Sequence, residues 1–457
     1  MKISSGKKII TFVSLIIFPC LLNAQDTQDT IKQPSLQLTL DKAIEIALSE
    51  NPTIKVAEQE IQKVDYSKKS AWYNILPSLD ASGQYAKYLS PASMAMMGQI
   101  INSPTNYTAQ GGLQLSLPLF VPALWQSIQM TTLDMQLAVE KAHASKITLR
   151  NDVTKAYYGI LLAQDTYKTL QNALDLAKDV YQLTEKRFEV GLSSEFDVIS
   201  AEVQMKNLQP NIMVTENGLE QAKMMLKILM GLEITQPVEV SGNLIDYEIG
   251  IDNANALDLS LKANTDLRQL DIQQQQLQKA LAIQRTQRMP TLAAFGTYGY
   301  QGMANRATEI NFGGLPIQVE KSNDWYSQGL LVGLQLNIPL SGIFTNTAKE
   351  KQTKIQISQL AMQRDYLEEN LNLQVRAALD NMKTAATQAE SAKSNEKLAQ
   401  KAYDISMKRY DTGMGIMLEV QNASQALTNS QLVLGQAIAT YLNSKADLDK
   451  ILGIDNP

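Results

Sequence analysis

The chain has 457 residues, 41 Lys and Arg against 46 Asp and Glu, one histidine (His143) and one cysteine (Cys20). A disulfide framework, a Cys–His dyad and a His/Cys metal cluster are thereby excluded within one chain, and no metal or cofactor is implied. A net charge of −5 with no basic block argues against a nucleic-acid partner.

Lys2, Lys7 and Lys8 precede an apolar run from Ile9 to Leu22, and Asn23-Ala24 lead into polar Gln25-Asp26-Thr27-Gln28. This order marks a secretory signal peptide over residues 1–24. The fourteen residues of the run fall short of the ~20 that span a bilayer as a helix. Cys20 lies inside it, where bulky Phe18-Pro19 fit poorly with lipidation, so it is expected to leave with the signal. The mature chain is then cysteine-free, as suits an oxidising compartment, and loss of three lysines takes its charge to −8. Residues 25–37 read as a flexible segment. No later stretch holds eighteen uninterrupted apolar residues, so no transmembrane helix is expected; β-barrel strands carry a weaker signal.

Residues 41–76 read as a helix, with Ala43, Ala47, Val56, Ile61 and Val64 on one side and Pro77 ending it. A period of two follows. Leu79, Ala81, Gly83 and Tyr85 alternate with Ser78, Asp80, Ser82 and Gln84. Leu113, Leu115, Leu117 and Leu119 alternate with Gly112, Gln114 and Ser116. Met94, Met96 and Met97 fall in the loop 90–106 between these strands and read as an apolar contact. Residues 124–189 then predict one helix ~100 Å long. Ile160, Ala163, Tyr167, Leu170, Leu174, Ala177, Tyr181 and Thr184 keep the 3-4 spacing of a coiled coil. His143 reads as solvated. Gly191 turns the chain, and Val198, Ala201, Met205, Leu208 and Ile212 carry the spacing back, with a kink expected at Pro210. Residues 232–255 read as a short strand-bearing link, and 256–288 as a helix.

The second half repeats the first. Ala43, Asn51, Pro77, Leu79, Gly83 and Tyr85 recur 213 residues on, as Ala256, Asn264, Pro290, Leu292, Gly296 and Tyr298. Gly112-Leu113-Gln114-Leu115 recurs at Gly333, Arg187-Phe188-x-x-Gly191 as Arg409-Tyr410-x-x-Gly413, and Leu229-Met230-Gly231 as Ile451-Leu452-Gly453. Two units are expected, 38–231 and 256–457, each a helix, two strands and a helical hairpin. Leu330, Val332, Leu334, Leu336 and Ile338 mark the last strand, and Val420, Leu427, Leu434, Tyr441 and Leu448 the last helix. Ala385, Ala389, Ala392, Ala399 and Ser406 give the second hairpin a small seam that permits close helix approach.

Aromatics gather where strands end: Trp72, Tyr73, Phe120 and Trp125 at one level, Tyr88, Tyr107, Trp325 and Tyr326 at another. Such girdles favour a membrane barrel over a soluble sandwich. Four strands leave two open edges, which lipid does not tolerate, so several chains must share one barrel.

Duplicated strand and hairpin order, with paired R-[FY]-x-x-G tips, resembles the outer membrane efflux protein family, the TolC-like factors of tripartite pumps and type I secretion. The resemblance implies a mixed, mostly α fold: long antiparallel coiled-coil hairpins forming a periplasmic α-barrel, plus a transmembrane β-barrel of four strands per protomer and twelve in a homotrimer. It also implies a non-enzymatic exit duct in the outer membrane of a Gram-negative cell, its helical tunnel in the periplasm, working with a periplasmic adaptor and an inner-membrane transporter. The family's constriction maps to Asp197 and Glu419, with Asn422 where a second acid can occur and Gly415 where a gate-locking basic residue can occur. Its adaptor-contacting tips map to Arg187, Phe188, Gly191, Arg409, Tyr410 and Gly413. From the residues alone, those same tip positions read as helix C-caps, and the two acids as helix N-terminal charges. A self-contained porin would need no such hairpins, and a structural coiled-coil envelope protein no such strands.

Overall fold

Thr39 caps the helix Leu40–Glu50 (α1), and Asn51 caps the next, Pro52–Tyr73 (α2). The expected single helix over 41–76 is therefore two. Pro52 has no N–H to continue α1 and pushes Asn51 out of helical backbone, where its side chain accepts from Thr53 N at 2.7 Å. The computed structural model describes residues 36–454 apart from 97–98, 248, 250–259, 313–314 and 341. The expected signal peptide lies outside the described residues, as do parts of the link 232–255 and the first residues of the second unit.

The four long strands are Ser78–Lys87 (β2), Thr105–Phe120 (β5), Thr291–Asn305 (β7) and Ser322–Asn337 (β10), after a short first strand Leu36–Leu38 (β1). They form one antiparallel sheet in the order β10-β7-β5-β2. The register explains the alternation. Leu79 faces Leu115, which faces Gly296, which faces Val332. One step along, Ala81, Leu113, Tyr298 and Leu330 are in line. Every apolar set thus falls on one face of the sheet, and that face is open in the single chain, with Leu330 75% exposed. Ser93–Met96 (β3) pairs with Gln99–Asn102 (β4), and Thr308–Phe312 (β8) with Leu315–Val319 (β9), each a hairpin extending the connection between two long strands. The loop 90–106 thus holds a strand pair that its sequence did not announce.

Below the sheet run Pro122–Glu189 (α3) and Gly342–Asp411 (α6), 68 and 70 residues without a break, or about 100 Å each. Glu195–Leu229 (α4) and Met417–Leu452 (α7) return from the tips, and α4 continues through Pro210. α3 packs between α4 and α7, and α7 against α6, so the hairpins form a row α4, α3, α7, α6. The predicted seam is buried at Ile160, Leu170, Ala177 and Thr184 of α3 and at Val420, Leu427, Leu434, Tyr441 and Leu448 of α7. Thr265–Thr286 (α5) begins nine residues later than the helix expected over 256–288, because Asn264 caps it, accepting from Asp266 N and Leu267 N, both at 3.0 Å. His143 is half-buried with its Nδ1 3.8 Å from Glu140, rather than solvated.

Halfway along, the chain is bolted together. Val238–Val240 (β6) pairs in parallel with β1, and buried Tyr157 donates to the Ser241 carbonyl at 2.5 Å. The recurring residues meet here. Asn51 donates to the Leu229 carbonyl and Asn264 to the Ile451 carbonyl, each at 2.8 Å. A Cβ on Gly231 would lie 2.6 Å from the Glu50 carbonyl oxygen, and Gly453 abuts Ala263 in the same way. The 213- and 222-residue repeats are thus two copies of one joint.

Candidate functional site

Each hairpin turns through a Schellman cap. Gly191 (φ 75°) donates to Phe188 O and Leu192 N to Arg187 O; Gly413 (φ 78°) donates to Tyr410 O and Met414 N to Arg409 O. Only glycine takes that left-handed backbone without a penalty, which accounts for the repeated R-[FY]-x-x-G spacing.

The tip aromatics part company. Phe188 is 45% exposed, whereas Tyr410 is 4% exposed, within a cluster of Val180, Ala201, Tyr403, Met417, Val420 and Leu427. Its hydroxyl lies 3.0 Å from Thr184 Oγ1, which donates to Val180 O, and 3.4 Å from Ser193 Oγ. The arginines differ too. Arg187 leaves its own hairpin, its Nη1 donating to the carbonyls of Tyr410 at 2.5 Å and Asp411 at 3.0 Å, with the guanidinium 4.9 Å from the Tyr410 ring centre. Arg409 stays at home, 3.2 Å from Glu419 and 3.3 Å from the Met414 carbonyl. The Arg409–Glu419 pair is a charge contact rather than an aligned hydrogen bond, since Glu419 Oε2 has no hydrogen-bond partner.

Asp197 and Glu419 occupy corresponding first turns of the descending helices, with Asn422 one turn after Glu419, and the three meet different surroundings. Asp197 closes a capping box: its carboxylate accepts from Ser194 N at 3.1 Å, from Ser194 Oγ at 2.7 Å and from Ser193 Oγ at 3.3 Å, while Ser194 Oγ accepts from Asp197 N at 3.2 Å. The N-cap position of α7 is Ile416, which offers no side-chain cap, and this leaves Glu419 to Arg409. Asn422 is exposed. A side chain at Gly415 would meet Tyr410 N at 3.0 Å and Arg409 Cβ at 3.1 Å, so a basic residue there would require the turn to shift. The sequence placed Thr184 in the coiled-coil seam without a role at the tip, and it did not single out Ser193 and Ser194. The Ser194-Glu195-Phe196-Asp197 pattern carried a readable capping signal, but nothing local announced the contact of Thr184 with Tyr410.

Two further properties bound the chemistry. Among the described residues no helix is long and apolar enough to cross a membrane. Among them, also, no three His, Cys, Asp or Glu side chains are grouped to hold a metal ion.

A family model described as Outer membrane efflux protein matches residues 43–232 and 256–454. Outer membrane protein TolC of Vibrio cholerae is 22% identical over 343 residues, which cover 75% of this chain and 76% of that protein. The alkaline protease secretion protein AprF of Pseudomonas aeruginosa is 23% identical over 434 residues, 93% of this chain and 86% of that one. Among solved structures, the Campylobacter jejuni CmeC outer membrane channel superposes with a TM-score of 0.71 at 18% identity, over 91% of this chain and 85% of that chain. The fold is therefore mostly helical with a strand sheet, that of a channel with a helical tunnel and a β-barrel.

Proposed function

The chain belongs to the outer membrane efflux protein family, and from that membership we propose how its two ends share the work of one conduit. It is an exit duct of the outer membrane with its helical part in the periplasm. Members of the family are channels, components of efflux and secretion systems that also contain an adaptor and an inner-membrane transporter.

The sheet carries the reading. Its apolar face suits lipid, and its outer strands β2 and β10 each have one side without a neighbour. Three copies joined β10 to β2 make a closed twelve-stranded barrel, with the helix rows enclosing a tunnel beneath it. Residues 38–231 and 256–457 are then two copies of one wall element joined by 232–255, after removal of 1–24. The chain performs no catalysis; it passes on what the transporter delivers. A relative named for protease secretion keeps proteins within the range of cargo beside small molecules.

Asp197, Glu419 and Asn422 form the constriction. Repeated three-fold, the two carboxylates become rings that attract cations. Phe188, with Gly191 and Gly413 shaping the turns, presents the adaptor surface. Arg187, Arg409 and Tyr410 hold that surface in place. In planar bilayers, Asp197→Ala with Glu419→Ala is expected to leave assembly intact and to change cation block or conductance. Unaltered conductance and cation sensitivity would remove these residues from the constriction.

A further inference from the structure

One space at the level of the joints serves none of the roles above. Where the first turn of α1 crosses α3 and α7, a cavity of about 110 Å³ is walled by Leu40, Ile44, Ile147 and Leu442. Arg150, Lys445, Lys450 and Asp449 also line it, three cations to one carboxyl. Nε and Nη1 of Arg150 are shut away from solvent and have no hydrogen-bond partner. A guanidinium is permanently charged, and buried donors on it are costly to leave unmatched. Burial pushes the Asp449 carboxyl up, with Lys445 opposing, and it is the one acidic side chain among the lining residues. Burial likewise pushes the Tyr158 hydroxyl up, which keeps it a neutral donor at the cavity wall.

The position matters as much as the charge. α1, α3 and α7 belong to one chain, and α3 and α7 are the inner pair of the helix row. The flanks α4 and α6, where further copies would join, do not line the cavity. A neighbouring copy is therefore not needed to complete it.

We propose that this cavity binds a small oxyanion of the phosphate class, with an unmatched buried N–H of Arg150 as its anchor and Lys445 and Lys450 at its mouth. Nε–H and the Nη1–H groups diverge across the guanidinium, so one of them meets one oxygen of a tetrahedral anion while the lysines reach the others. The volume, some three or four times the roughly 30 Å³ that one water takes up in the liquid, admits the anion head but little more. Free phosphate and the phosphate end of a headgroup share this chemistry. Bound there, the anion bridges the cations of α3 and α7.

The full-length protein in detergent, exchanged into phosphate-free chloride buffer, is titrated with inorganic phosphate at constant ionic strength by calorimetry. Phosphate released on denaturation is counted as already bound. Saturable binding is expected, with the dissociation constant rising about tenfold or more in Arg150→Gln and less in Lys445→Gln. Glycerol phosphate in a second arm separates the sources. Its binding supports the site and admits a headgroup, and binding of phosphate alone supports the site for the free anion. Absence of saturable binding and of co-purified phosphate, or binding unchanged in Arg150→Gln, overturns the proposal. Should Arg150→Gln fail to assemble, Lys445→Gln at the exposed mouth decides, and an unchanged constant there overturns it equally.

Discussion

The two joints at the level of β1 and β6 are near copies, whereas the two hairpin tips are not. At the joints, Asn51 and Asn264 cap a helix and tie down a carbonyl at the same distance, and Gly231 and Gly453 lie against the same backbone. At the tips only the turn backbone is shared. One tip spends its acid on a capping box, and the other holds its acid by Arg409. One arginine crosses between hairpins, and the other does not. Close backbone contact admits few substitutes, so both joints kept their residues. A Schellman turn constrains only its glycine, which left the surrounding side chains free to take different tasks.

If the joints are equivalent, breaking either should cost the same. The largest effect is expected for Gly231→Ala and Gly453→Ala, which force a left-handed residue and a Cβ into carbonyl contact. Both should lower the unfolding temperature of the detergent-solubilised protein sharply, and a tolerated alanine at either would show that the joint can yield. Asn51→Ala and Asn264→Ala should each cost about 2–3 kcal/mol, combining a lost N-cap with an orphaned carbonyl. Denaturation measurements giving clearly unequal losses would break the equivalence.

The tips should respond unequally. Arg187→Gln frees the second hairpin's carbonyls and uncovers the Tyr410 ring, so single-channel recordings should show more frequent or larger openings than Arg409→Gln produces. Equal recordings from the two variants would erase the distinction between a bridging and a local arginine. The smallest effect is expected for Ser194→Ala. Loss of the cap costs about 1 kcal/mol and leaves Asp197 with fewer donors, so its contribution to cation block should change while the fold persists. A Ser194→Ala channel indistinguishable from wild type in block would separate the capping box from the constriction.

Much of this architecture could be read from residues. Period-two alternation located all four long strands, because a sheet with one lipid-facing side must place apolar residues at every second position. The 3-4 spacing located the long helices, and glycine located their turns. What escaped was set by contact rather than by periodicity. Asn51 fell inside an apolar pattern, and only Pro52 beside it hinted at a break. Arg187 meets the main chain of a segment more than two hundred residues away, for which no local signal exists. Tyr410 and Phe188 hold equivalent motif positions, yet one is buried because Thr184 and Arg187 close over it. Sequence likeness between the tips therefore said nothing about which side chain would face outward.

The central claim is that three chains close one barrel through β2 and β10, and it can be tested directly because Cys20 is the only native cysteine. Cysteines placed singly on β2 at Ser78, Asp80 or Ser82 and on β10 at Leu331 or Gln335 bring both free edges within reach of a short crosslinker. Applied to outer-membrane preparations of the paired variants, it should yield a ladder that ends at three chains. A soluble monomer, or a ladder ending at two or running past three, would contradict the account.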